Sequence, residues 1–263
     1  MKKLRSRPNT LLAVSVGIHV TCALALVRKP AHWPLWLTVL LLDHALVLGA
    51  GLAPRSRLLG PNLSKLPPAD VSAGRVALTF DDGPDPEVTP QVLEILQQRR
   101  VPATFFCIGQ RAAAYPDIVK SIADGGHLIG NHSWSHSPAF WFSGPRRLAR
   151  ELDRTQELLE SLGGLAPRYF RAPAGVRSPL LDPFLRWRGL HLVSWTRRGF
   201  DTVTRNPSKV VDRLVGGLAA GDVLLLHDGS AARTVSGRPV VLEALPRLLD
   251  TLDARGLQPV LLP

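Results

Sequence analysis

From residue 75 onward, short apolar β-prone runs alternate with longer amphipathic ones, and this alternation constrains the fold more than any other feature. Strands are expected at Val76–Phe80, Ala103–Cys107, His127–Gly130, Tyr169–Arg171, His191–Trp195, Val223–Leu226 and Pro259–Leu262. Helical patterns between them include Thr89–Arg100, Pro145–Leu162, Pro207–Leu218 and Val240–Ala254. Pro90 and Pro207 sit near helix starts, where a missing N–H costs little. Seven strands alternating with helices predict a parallel α/β sheet or barrel. Catalytic groups in such folds gather at the carboxyl ends of the strands.

The amino-terminal quarter is different in kind. Thr10–Val27 and Leu35–Ala53 are apolar runs of about 18 and 19 residues, close to the ~20 needed to span a bilayer. Trp33 and Trp36 open the second run, where amphipathic aromatics favour an interface. A signal peptide is the rival for the first run, but no small-x-small cleavage site follows it. Residues 1–53 are therefore expected as a helical hairpin that contacts membrane lipid through residues 10–53. Residues 54–74, rich in Pro, Gly and Ser, read as a linker, and 75–263 as a soluble domain. Asp43 and His44 near the middle of the second run are costly in lipid and should face a partner helix or a polar cavity. Lys2, Lys3, Arg5 and Arg7 before the hairpin and Arg55, Arg57 and Lys65 after it outnumber Arg28 and Lys29 in its turn. That asymmetry favours a multi-pass membrane protein with its domain on the cytoplasmic side. If the second run lies in the interface instead, the domain is on the outer side.

The same distribution explains the net charge of +11. Residues 1–65 hold nine basic residues and one acid; the remainder carries 23 and 20. The excess flanks membrane segments rather than forming a basic face, which argues against nucleic-acid binding. Cys22 and Cys107 offer neither a disulfide framework nor metal-ligand spacing and are expected as two buried thiols.

Two motifs carry chemistry. Thr79-Phe80-Asp81-Asp82-Gly83-Pro84 closes the first strand with adjacent carboxylates released by a turn, so one can bind a metal while the other acts as a base. His132-Ser133-Trp134-Ser135-His136 places two imidazoles four residues apart, able to reach one ion from a single helical turn. Asp82, His132 and His136 together make a two-His, one-carboxylate set with open positions. Such ligands suit Zn²⁺ first, and also Fe, Co, Ni or Mn.

In this order the motifs resemble those of the polysaccharide deacetylases, the NodB-type carbohydrate esterase family 4. Arg171-Ala172-Pro173-Ala174-Gly175 is similar to the third family motif, and Leu225-Leu226-His227 to the fifth. Asp201-Thr202 supplies half of the fourth, with Trp195 upstream. The resemblance spans roughly 75–263 and implies a distorted (β/α) barrel of about seven parallel strands. It implies a metal-dependent hydrolase of carbon–nitrogen bonds that N-deacetylates an amino sugar. Residue by residue, it makes Asp81 the general base, Asp82, His132 and His136 the metal ligands, and His227 the general acid tuned by Asp201. Arg171 would hold Asp81 ionised. Pro173, Gly175 and Leu225 would contact substrate, Leu225 lining the pocket for the acyl methyl. The oxyanion would meet the metal and a backbone N–H near Pro84 or Tyr115. His19, His32, His44, His127 and His191 belong to no motif and are expected to be structural or surface residues.

Two departures bear on substrate. An aromatic is common at the position of Ala174 and Trp at that of Thr202, so bulk is missing near the groove. With the hairpin, this favours an envelope glycan or lipid-linked amino sugar over a plain chitin-like polymer. A deformylase of a lipid-linked amino sugar uses the same machinery. An inactive membrane-anchored glycan-binding protein would lack a ligand or base, and none is lacking. A phosphoesterase would call for a phosphate-binding Gly-rich loop or a second metal cluster, and neither is evident.

Overall fold

The computed structural model describes residues 9–263. Lys2, Lys3, Arg5 and Arg7, counted above for orientation, lie outside the described residues. In chain order the elements are α1 (Thr10–Arg28), α2 (Trp33–Leu52), α3 (Pro68–Ser72), β1 (Arg75–Asp81), α4 (Thr89–Arg99), β2 (Thr104–Cys107), α5 (Gly109–Ala114) and α6 (Pro116–Asp124). They continue with β3 (Leu128–Asn131), α7 (Pro145–Gly163), β4 (Tyr169–Phe170), α8 (Leu181–Trp187), β5 (His191–Leu192) and β6 (Arg197–Arg198). The last are α9 (Pro207–Val215), β7 (Val223–His227), α10 (Val240–Ala254) and β8 (Gln258–Val260).

The strands form one sheet in the order β5-β4-β3-β2-β1-β7-β6, parallel throughout, with β8 added beside the start of β1. This is the expected distorted barrel of seven strands. Alternation along β1 sorts its side chains between two cores. Val76, Leu78 and Phe80 enter the layer shared with α4, α9 and α10, where Phe80 stacks on Phe105 at 5.0 Å. Full burial of each such side chain contributes about 1.5–3 kcal/mol. Ala77 joins Phe106, Tyr169, Val223 and Leu262 in a smaller interior cluster. Thr79 and Asp81 continue that inward row, so the interior is apolar at its base and polar at the carboxyl end.

The expected strand His191–Trp195 is divided. Its first two residues pair with β4, then the chain crosses and pairs with β7 as β6, Thr196 N–H donating to the Val223 carbonyl on the way. This short crossing joins the two ends of the strand order.

The hairpin is formed as expected, with α1 against α2 and most apolar side chains exposed. Either helix is long and apolar enough to cross a membrane. Asp43 is buried between them and accepts a hydrogen bond from Ser15 Oγ at 2.6 Å. His19 and His44 stand beside it with ring centroids 5.0 Å apart, each Nδ1 bonded to a carbonyl one turn back in its own helix. Both histidines thus join a polar cluster near mid-hairpin. Cys22 and Cys107 are free and buried.

Residues 54–74, read from composition as a linker, are fastened to the domain. Asn62 Nδ2 donates to the carbonyls of Pro54 and Ser56, and Leu63 bridges Val193 in parallel. Leu59 and Leu66 are buried, Leu66 in the interior cluster. Apolar residues spaced through a Pro/Gly-rich segment fasten it to the domain.

Candidate active site

β1 delivers two carboxylates to one place by a change of backbone conformation. Asp81 keeps the strand geometry and faces the interior, while Asp82 adopts φ 71°, which turns its side chain off the strand's alternation. A left-handed Asp is uncommon and its cost is met by surrounding contacts. The turn that follows requires glycine: a Cβ on Gly83 would lie 2.1 Å from Asp228 Oδ2.

Arg171 is fully buried beneath Asp81. Its Nη1 donates to Asp81 Oδ1 at 2.6 Å and to Thr79 Oγ1 at 2.8 Å, and Nη2 donates to the Ser194 carbonyl at 3.1 Å. A buried guanidinium requires such partners, and here it holds the carboxylate by one oxygen. Asp81 Oδ2 is left facing the site, 3.8 Å from His132 Nε2.

The two histidines do not sit on a helical turn. Residues 132–136 form a loop, with Ser133 at φ 62° and His136 at φ 47°. Its shape comes from α7: the buried Glu151 accepts the N–H groups of Trp134 and Ser135 at 3.0 and 2.9 Å and the Ser135 hydroxyl at 2.7 Å. Asn131 Oδ1 adds a bond from Ser133 N–H. The loop brings His132 Nε2 and His136 Nε2 to 3.3 and 3.2 Å from Asp82 Oδ1.

This donor set fits a divalent metal. His132 Nδ1 lies 2.8 Å from the Arg171 carbonyl, a bond it makes as donor, which leaves the Nε2 lone pair for a ligand. Nε2 and the Asp82 oxygen then face each other as two acceptors, reconciled only by a proton or a cation. Tetrahedral ligation at ~2.0–2.1 Å sets neighbouring donors about 3.3 Å apart, matching the separations found. The electrostatics agree. Burial acts to raise Asp82, but the His132 hydrogen bond and the His132 and His136 charges outweigh it and hold the carboxyl well below the usual range. Burial acts to lower His132, and Asp81 and Asp82 more than offset it, so its pKa rises. Burial, reinforced by His132, lowers His136.

β7 pairs with β1 so that His227 stands beside Asp81 and Leu225 beside Thr79. His227 Nδ1 meets Asp201 Oδ1 at 2.8 Å, and Asp201 Oδ2 accepts the His227 backbone N–H at 2.7 Å. Burial disfavours the imidazolium, but Asp201 outweighs it and raises the His227 pKa. Leu225 is buried on the same strand face as His227.

Pro173 and Gly175 are buried in the loop after Arg171. Gly175 has φ 73°, and a Cβ there would meet Trp195 at 2.4 Å and Pro54 at 3.3 Å. The chain leaving α2 thus abuts this loop. Tyr115 N–H is spent on the Arg111 carbonyl, and Asp85 N–H, the first after Pro84, on Thr89 Oγ1, so neither expected oxyanion donor is open. His127 Nδ1 accepts from Ala103 N–H, a structural role as expected.

The structure brings Asp81, Asp82, His132, His136, Arg171, Asp201 and His227 together at the carboxyl end of the barrel. Sequence reasoning missed Glu151 and Asp228. Glu151 carries no motif, and its role depends on contacts across the fold. Asp228 follows His227 directly and accepts from Thr89 Oγ1 at 2.6 Å; burial pushes its carboxyl up to about 7.

Residues 69–190 match the polysaccharide deacetylase family. A peptidoglycan-N-acetylglucosamine deacetylase of Bacillus cereus is 35% identical over 191 residues, 72% of this chain and 66% of that protein, just short of two thirds of its length. A chitooligosaccharide deacetylase of Sinorhizobium fredii is 34% identical over 200 residues, 74% of this chain and 93% of that one. A family 4 carbohydrate esterase from Streptomyces lividans, solved with acetate, superposes with a TM-score of 0.64 at 34% identity, covering 71% of this chain and 91% of its own. A crystallised peptidoglycan N-acetylglucosamine deacetylase gives a TM-score of 0.69 at 31% identity, over 77% and 91%. With the motifs in order, the fold matched and the Sinorhizobium fredii relative covered over 93% of its length, the chain belongs to the polysaccharide deacetylase family.

Proposed function

We propose that this enzyme removes the N-acetyl group from an amino sugar in a membrane-proximal glycan or a lipid-linked glycan intermediate. The reading is carried by one arrangement: two ion pairs, Asp81–Arg171 and Asp201–His227, stand beside the three-ligand cluster of Asp82, His132 and His136. Amide hydrolysis needs a base for water and an acid for the departing amine, and adjacent strands supply one each.

Asp81 is the base. Arg171 occupies Oδ1, which leaves Oδ2 to take the proton. His227 is the acid: Nδ1–H is committed to Asp201, so the imidazolium offers its other proton from Nε2 to the amine. Leu225 contributes an apolar wall for a small acyl group, and Pro173 and Gly175 shape the groove beside it. A divalent metal bound by Asp82, His132 and His136 would acidify water and polarise the acyl carbonyl. Zn²⁺ suits these ligands best, with Co²⁺, Ni²⁺, Mn²⁺ and Fe²⁺ accommodated.

The relatives are named for peptidoglycan N-acetylglucosamine and chitooligosaccharides. For this chain, two observations support a substrate held at a membrane: the apolar hairpin and its junction with the loop after Arg171. The small residues Ala174 and Thr202 leave room at the groove. The positive-inside count favours an inner-membrane protein with its domain in the cytoplasm, where lipid-linked intermediates are within reach.

The test uses the full chain in detergent, stripped of metal and reloaded with Zn²⁺ or Co²⁺, with acetate release measured from N-acetylglucosamine oligomers and from a lipid-linked N-acetylated sugar. Metal-dependent acetate release that disappears in Asp81→Asn is expected. Formate release from a formylated sugar without acetate release would shift the reading to a deformylase. Release of neither from folded, metal-loaded protein overturns it.

A further inference from the structure

Every strand of the sheet is parallel, so the loops after β3, β6 and β7 lie at the same end as the catalytic groups. These loops carry exposed apolar side chains: Phe142, against the Trp141 ring, is 73% exposed, Phe200, flanked by the Arg198 and Arg213 guanidinium groups, 44%, Val203 74%, and Val235 is fully exposed. Exposed Arg146, Arg205 and Arg238 follow them closely in sequence. The acids of this rim are already engaged: Glu87 pairs with Arg233, and Asp85 accepts the N–H groups of Glu87 and Val88 and lies 3.9 Å from Arg111.

The hairpin joins the domain at this same end. Gly51 at the end of α2 accepts the Arg177 N–H at 3.0 Å, just beyond the loop that follows β4. Leu58, 55% exposed, and the exposed Arg55 and Arg57 follow directly. Scattered exposed apolar residues are ordinary on any surface, and Leu165 and Trp187 are exposed at the opposite, amino end. What separates the two groups is the end of the barrel they occupy: the rim group shares its end with the exit from α2.

We propose that the catalytic rim is a second membrane contact: Phe142, Phe200, Val203 and Val235 enter the boundary of headgroups and acyl chains, and the neighbouring arginines face lipid phosphates. This rests on the membrane reading of the hairpin above. The occupant is a lipid bilayer. Apolar side chains flanked by basic ones are the composition that binds an anionic interface, and a span ending at the rim keeps that interface within reach. The active-site mouth then opens on the bilayer surface, and an amino sugar on a lipid carrier enters without leaving the membrane.

The test places a bimane label on single introduced cysteines in the full chain, reconstituted in anionic nanodiscs containing nitroxide-labelled lipid. The native Cys22 and Cys107 are buried and stay unlabelled. Labels at Val203→Cys and Val235→Cys are expected to be quenched as strongly as one at Leu46→Cys in α2, while labels at Leu165→Cys and Trp187→Cys stay bright. Rim labels as bright as the amino-end pair, with Leu46→Cys quenched, overturn the rim contact and leave the hairpin in the membrane. An unquenched label at Leu46→Cys overturns the membrane reading and this proposal with it.

Discussion

Replacing Asp201 with Asn tests the assignment of the catalytic acid through a quantity the structure sets. The two Asp201 oxygens serve different purposes: one accepts the His227 backbone N–H at 2.7 Å, the other receives Nδ1–H at 2.8 Å. An Asn oxygen can keep the first bond, so the strand end stays in place, while its amide group turns a donor toward the ring. The charge partner is lost and burial, which opposes the imidazolium, remains. Two unit charges ~4 Å apart at an effective dielectric of about 20 attract by about 4 kcal/mol. Losing that attraction lowers the His227 pKa. The sign is then fixed. An acid must be protonated to act, so the basic limb of kcat/KM against pH moves to lower pH, and activity above that limb falls on the order of a hundredfold. Acetate release measured across pH 5–9 at saturating metal reads this directly, with thermal unfolding confirming that the variant is folded. A uniform loss of rate with the basic limb unmoved would refute His227 as the acid.

Glu151→Ala removes the acceptor for three donors of the 133–136 loop and leaves the metal ligands untouched; metal affinity is expected to fall 10–100-fold, measured by competition with a chromophoric chelator. Arg177→Ala frees the carbonyls of Ser56 and Leu59, each now bonded at 2.8 Å to a guanidinium 2% exposed. At ~1.5–3 kcal/mol for each charged hydrogen bond, stability falls by about 3–6 kcal/mol, read as a lower unfolding temperature in detergent. Asp228 has its folded pKa raised to about 7, so the folded state binds more protons than the unfolded one between pH ~4 and 7. Its contribution to stability therefore declines as pH rises through that window, by about 4 kcal/mol at most. Asp228→Asn is expected to flatten this slope in denaturant melts at pH 5 and 8.

Chemistry was more legible in the chain than shape. Asp81, Asp82, His132, His136, Arg171 and His227 stood out because each follows a β-prone run, and in a parallel sheet those ends converge whatever lies between. The path between them was less readable. The spacing of His132 and His136 suggested a helical turn, yet a buried acid 15 residues downstream imposes a loop with two positive φ angles. β6 consists of two arginines with no apolar alternation, and it is a strand only because β7 offers an edge. The Pro, Gly and Ser of residues 54–74 look like a tether when composition is averaged, although Leu59 and Leu66 are individually buried.

That segment changes what the hairpin means for the enzyme. A detachable anchor is joined by backbone whose polar groups are left to water. Here the carbonyls of Gly51, Pro54, Ser56 and Leu59 each accept a bond from Arg177 or Asn62, so the exit from α2 is held by the domain itself. Pro54 fills space beside Gly175 in the motif loop that follows Arg171, and Arg171 holds the base. Displacement of α2 is thus coupled through a few bonded residues to the groove wall. A chain beginning at residue 66 loses this wall together with Leu59 and Leu63, and low activity of such a fragment would report the missing wall rather than the wrong substrate. Substrate preference is therefore to be judged on a chain that keeps residues 51–65.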